Sequence, residues 1–83
     1  MSEEQVGTVT DYFARIGVAA IDLDGALRVG DEVHIVGHTT DLTQRLESMQ
    51  IEHEQVEEAK AGDAIAIKVA ERCRKGDVVY RIS

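Results

Sequence analysis

The chain has no proline, a single cysteine, few aromatic side chains and no long apolar run, and each shortage closes off a class of structure or activity. Without proline, no strand-like segment is broken by a residue that lacks a backbone donor. Cys73 alone cannot form an internal disulfide, and the residues show no four-ligand metal shell. Aromatics make up 4% of the residues, so Tyr12, Phe13 and Tyr80 are too few to build a platform on which a nucleic-acid strand would stack. No apolar stretch approaches the roughly 18 residues of a membrane-crossing helix, and no membrane partner is expected. The opening residues Met1-Ser2-Glu3-Glu4-Gln5 lack the basic and apolar regions of a secretory signal, which makes the cytoplasm the expected compartment.

Positive charge is also scarce. Nine Lys and Arg face sixteen Asp and Glu, a net charge of −7 that disfavours nonspecific attraction to phosphate backbones. The imbalance is uneven: residues 1–59 hold three basic and thirteen acidic side chains, whereas residues 60–83 hold six and three. Any contact with nucleic acid is therefore expected on the C-terminal part.

What the chain does have is a phrase repeated three times, Gly-Asp opening an alternating apolar run, at Gly30-Asp31, Gly62-Asp63 and Gly76-Asp77. Glycine reaches backbone angles other residues resist, aspartate can close a turn through its own carboxylate, and β-branched residues follow. Each copy reads as the entrance to a strand. The copies are unevenly spaced, so they mark turns of one domain and not a solenoid repeat. With 43% apolar residues the chain is rich enough to fold, and at 83 residues it buries a modest core, about 60% of the unfolded surface. Residues 1–5 are expected to be a flexible N-terminus and residues 6–83 a single all-β domain.

Strands are predicted over Val6 to Phe13, Val18 to Leu23, Val33 to Ile35, Asp41 to Ile51, Ala64 to Val69 and Val78 to Ile82, with Leu27 packing under the loop to Gly30. Leu42 and Leu46 share one phase while Met49 and Ile51 take the other, which predicts a β-bulge near Glu47-Ser48. Glu52 to Lys60 reads as a loop with one helical turn at most. In the last strand Val78, Tyr80 and Ile82 share one face.

Several blocks, Gly7-Thr8-Val9, the run Leu27 to Gly37, Leu46 to Glu54 and Val56 to Asp63, together resemble the second domain of translational GTPases such as elongation factor Tu and initiation factor two. The resemblance implies a small closed Greek-key-like β-barrel of about six to seven strands. It also implies a noncatalytic binding module in contact with tRNA, the ribosome or a translation-associated protein. The phosphate-binding Gly-x-x-x-x-Gly-Lys-Ser/Thr loop that the family carries in a separate domain is absent from these 83 residues, so no GTPase activity is expected of them and no cofactor. The family usually has a glutamate where this chain has Gln50, which replaces a carboxylate acceptor by an amide that both donates and accepts. Barrels of this type also resemble terminal domains of collagenase-like peptidase-family proteins, some of which modify RNA, so a second expectation is an interaction subunit completing a larger enzyme such as a collagenase-like peptidase-family or RNA-modifying protein.

The candidate contacts follow. Gln50 and the cations Arg72, Arg74 and Lys75, with Arg81 nearby in sequence, could meet RNA or a partner; the bland reading of the cations is a solvated connector. Glu47 to Glu58 holds five glutamates and no Lys or Arg, and Glu54, Glu57 and Glu58 could dock a basic protein surface, though such runs more often only face water. The cations around Cys73 would lower a thiol's pKa if they approached it, but no partner base is recognisable and a buried connector thiol is the default. His34 and His38 would lie roughly 13 Å apart along a strand, and no metal site is assigned.

Overall fold

The three repeated phrases form one turn built three times. In the computed structural model, which describes residues 2–82, Gly30, Gly62 and Gly76 have φ of 100°, 95° and 96°. Each occupies the third position of a basic-x-Gly-Asp turn, where a type II geometry needs positive φ. The backbone N–H of Asp31, Asp63 and Asp77 donates to the carbonyl of Arg28, Lys60 and Arg74 at 3.1, 3.0 and 3.0 Å. In return each aspartate carboxylate accepts from the N–H of that same basic residue, at 2.9, 2.9 and 2.8 Å. Both backbone groups that the turn would otherwise leave open are thus satisfied within four residues.

The strands between these turns make an antiparallel barrel, with no helix among the described residues. They are β1 (Glu3–Phe13), β2 (Val18–Leu23), β3 (Leu27–Arg28), β4 (Glu32–Val36), β5 (Asp41–Arg45), β6 (Gln50–Ile51), β7 (Glu54–Gln55), β8 (Glu58–Ala59), β9 (Ala64–Lys68) and β10 (Val78–Ile82). Eight pair in the order β5-β4-β10-β1-β2-β9-β6-β7, and β3 pairs with β8 as a separate ribbon. Alternation works as expected in β2, β4 and β9: Ala19, Ile21, Leu23, Val33, Ile35, Ile65 and Ile67 enter the core while their neighbours turn outward. Leu27 is fully buried beneath the loop to Gly30.

Three expectations change. Residues 3–5 continue β1, because Glu3, Glu4 and Gln5 pair with Ile82, Arg81 and Tyr80; cross-strand partners outweigh the low strand preference of glutamate. Met1 of the expected flexible N-terminus and Ser83 of the expected barrel lie outside the described residues. The bulge predicted at Glu47-Ser48 is a strand break: the chain leaves β5 after Arg45, and Leu46 and Met49 stay buried in a stretch that crosses from the β4 neighbourhood to β9. Register shifts instead interrupt β1, between Gln5 and Gly7 and between Val9 and Asp11. The segment 52–60 contains no helical turn but the short strands β7 and β8. In β10, Val78, Tyr80 and Ile82 do share a face, the outer one, and fully buried Val79 enters the core.

The backbone ladder leaves β5 and β7 as its end strands, and the gap is spanned by other groups. Gly30 N–H donates to Leu46 O and Leu46 N–H to Asp31 O, both at 2.8 Å, while Val56 N–H reaches Met49 O at 3.0 Å. The Gln44 amide completes the seam from β5 to the end of β9, donating to Lys68 O and accepting from Ala70 N–H, each at 2.8 Å.

Candidate functional site

Gln50 is half-buried in a cavity of about 220 Å³ that also takes in Thr10, Ile21, Glu52, His53 and Ile65. The core residues Ile21 and Ile65 form an apolar floor; the amide, hydroxyl, imidazole and carboxylate groups supply polar contacts around it. Glu52 and His53 are the central residues of the β6–β7 hairpin and have φ of 50° and 67°. A two-residue hairpin loop with both central residues at positive φ is the type I′ turn, normally read from Asn-Gly or Asp-Gly. Glu-His carries no such signature, and so the residues beside Gln50 were not visible from the sequence.

The C-terminal cations lie beside neighbours that sequence distance hid. Gly76 N–H donates to Val9 O and Val9 N–H to Asp77 O, both at 2.8 Å, which lays the Arg72–Asp77 segment along β1. Arg72, Arg74 and Lys75 then share a groove of about 370 Å³ with Asp11, Tyr12 and Cys73. Arg81 is not part of it, because its guanidinium donates to Glu4 at 2.8 Å in the β1–β10 pair. Cys73 is buried, and burial, with smaller contributions from Asp77 and Glu71, pushes its thiol up to about 11. The neighbouring cations do not offset that burial, so the side chain is a thiol at neutral pH and a poor nucleophile.

The acidic segment is divided by the fold. Glu54 and Glu57 are exposed, whereas Glu58 faces Arg28 across the β3–β8 ribbon at 3.5 Å. With the two side chains 70% and 69% exposed, this pair contributes little to stability. His34 is held between Glu3, at 3.0 Å from Nδ1, and Asp41, at 2.6 Å from Nε2. Both partners are acceptors, which favours the imidazolium and raises the His34 pKa above its ordinary 6.5. No group of three or more potential metal ligands occurs among the described residues.

Comparison with known proteins extends this picture. The profile of the family described as elongation factor Tu domain 2 matches residues 23–80. Over 77 residues the chain is 38% identical to an uncharacterised protease of Methanocaldococcus jannaschii, and over 78 residues 41% identical to a collagenase of Porphyromonas gingivalis. Each match covers 92% of this chain but only 19% and 22% of the relative, so the chain spans about a fifth of the length of the curated relatives it matches. Among solved structures, the C-terminal domain of a Geobacillus thermoleovorans protein assigned to the U32 peptidases superposes with a TM-score of 0.90 at 23% identity, covering 96% of this chain and 93% of that one. GDP-bound aIF5B from Aeropyrum pernix contains a similar barrel, with a TM-score of 0.63 at 19% identity over 95% of this chain and 14% of its own. At these identities the structural likenesses concern the fold.

Proposed function

From the premise that the chain belongs to the elongation factor Tu domain 2 family, we propose that it acts as a noncatalytic accessory module of a peptidase-family protein, completing a larger enzyme by protein–protein contact. The supporting observation is the matched length: curated relatives at 38% and 41% identity use the equivalent of this domain as about a fifth of a longer chain. The chemistry agrees, since the thiol is buried with a raised pKa and is a poor nucleophile at neutral pH. The test is purification of the tagged chain, at its native level and low salt, from the cells that make it. One peptidase-family protein in near-equal amount is expected; recovery of the free domain alone would sink the reading.

A second reading, contact with tRNA or the ribosome, is favoured by the two left-handed residues beside Gln50, since strained backbone concentrates at binding sites. In that case Gln50→Ala weakens tRNA retention in a filter assay at low salt. Unchanged retention would remove the cavity from consideration.

A further inference from the structure

The hairpin joining β1 to β2 is a tight and well-bonded turn, in which the N–H groups of Ile16 and Gly17 both donate to Phe13 O, at 3.2 and 2.9 Å. Its side chains are nevertheless apolar and in water. Phe13 is 46% and Ile16 63% exposed, and among the described residues they are the only large apolar side chains in the exposed class. A lone exposed Ile would mean nothing; both exceptions on one turn, outside the core, mark a surface. The same end of the barrel gathers positive charge. Arg15 lies in the turn, Lys68 pairs with Val18 at its base, and Arg72, Arg74 and Lys75 run beside Tyr12. These are five of the nine basic residues in a chain of net charge −7, and among the described residues none of the five makes an ion pair. Asp11 and Glu71 share this end and Glu47 lies beside Lys68, so the five cations still outnumber the carboxylates there, while Asp22 stands near the far end of β2, roughly 15–20 Å away along the strand, and Glu58 belongs to the β3–β8 ribbon.

We propose that this end, with Phe13 and Ile16 at the centre and Arg15, Arg72, Arg74 and Lys75 around them, docks onto an apolar patch rimmed by carboxylates on the peptidase-family protein. The proposal rests on the accessory-module reading and names the face that module uses. Aromatic and Arg side chains are the ones enriched at interface centres, and the rest of the domain, where carboxylates outnumber the four remaining cations, disfavours a carboxylate-rimmed partner. RNA fits less well, because the protruding residue is aliphatic and the domain as a whole is anionic. A second copy would have to place its acidic side on this end, a head-to-tail contact rather than the self-complementary one of the common two-fold dimer.

The test places a photo-crosslinking amino acid at Ile16, and in a separate copy at Glu57, in the full-length chain within the cells that make it. Position 16 is expected to capture a peptidase-family protein through peptides containing Asp or Glu, with at least tenfold less from position 57. The double variant Phe13→Ser with Ile16→Ser, and separately Arg72→Glu with Arg74→Glu, should lower the co-purified partner at least tenfold at unchanged thermal midpoint. Capture from position 57 alone overturns this inference and leaves the accessory reading standing. Capture of RNA or of a second copy at position 16 overturns it as well. Failure of both positions to capture any peptidase-family protein removes the accessory reading too.

Discussion

His34 links a proton to three strands. Glu3 belongs to β1, Asp41 to β5 and His34 to β4, so the imidazolium ties the N-terminal end of the chain to the β4–β5 hairpin. The folded chain holds this proton more tightly than the unfolded chain does, because the unfolded imidazole has neither carboxylate. The stabilisation is therefore complete below pH 6.5 and is lost as pH rises through the elevated folded value. Urea midpoints measured from pH 6 to 9 should fall and then level off, and His34→Gln should flatten that slope; an unchanged slope in the variant would assign the dependence elsewhere. At Gly62 the backbone itself is the constraint. With φ of 95° and no atom within 4 Å of the position a Cβ would take, Gly62→Ala is opposed by conformation alone, at about 1–2 kcal/mol of stability. Gly7→Ala has ordinary freedom of φ but would bring Cβ to 2.7 Å from Asp22 O and 2.9 Å from Ile21 Cγ2, so its cost arises from strand packing.

The β6–β7 hairpin shows how an element can be invisible in sequence and still well formed. Its Glu52-His53 turn holds two side-chain-bearing residues in the left-handed region, where Asn-Gly would sit without strain. Replacing Glu52→Asn with His53→Gly should raise stability by about 1–2 kcal/mol in chemical denaturation. If the turn is kept for binding at the Gln50 cavity, the same variant binds less well while folding better. Strands β2, β4 and β9 were legible because in each a pair of large apolar residues two positions apart, Ile21 and Leu23, Val33 and Ile35, Ile65 and Ile67, flanks a small or polar one. β10 was legible as a strand over Val78 to Ile82 but not in the face it buries, since Val78, Val79 and Tyr80 offer apolar side chains to both phases and the register against β1 and β4 selects Val79. The acidic start of β1 looked flexible because its partners, Arg81 and His34, are distant in sequence. The cation cluster could be read from its spacing, but its neighbours Tyr12 and Asp11 lie some sixty positions earlier, and only the fold brings Phe13 and Ile16 to the same end.

Closure of the barrel depends on side chains as much as on strands. The first and last strands pair in the middle of the sheet, so the structure cannot be assembled from either half of the chain alone, and a topology this non-local folds slowly for its size. At the opposite side the ladder stops, and Gln44 supplies both a donor to Lys68 O and an acceptor to Ala70 N–H. Lys68 is also the residue that pairs with Val18 at the base of the exposed hairpin, so this seam fixes how that hairpin is carried. Gln44→Ala removes two hydrogen bonds at about 0.5–1.5 kcal/mol each, a loss of about 1–3 kcal/mol that denaturation should resolve. Hydrogen exchange separates local opening from general weakening. The Ala70 amide, whose bond to Gln44 Oε1 is lost, should exchange at least tenfold faster in the variant relative to the Ile21 amide on β2. Equal acceleration of both amides would mean that the seam has no separate opening and that Gln44 acts only through global stability.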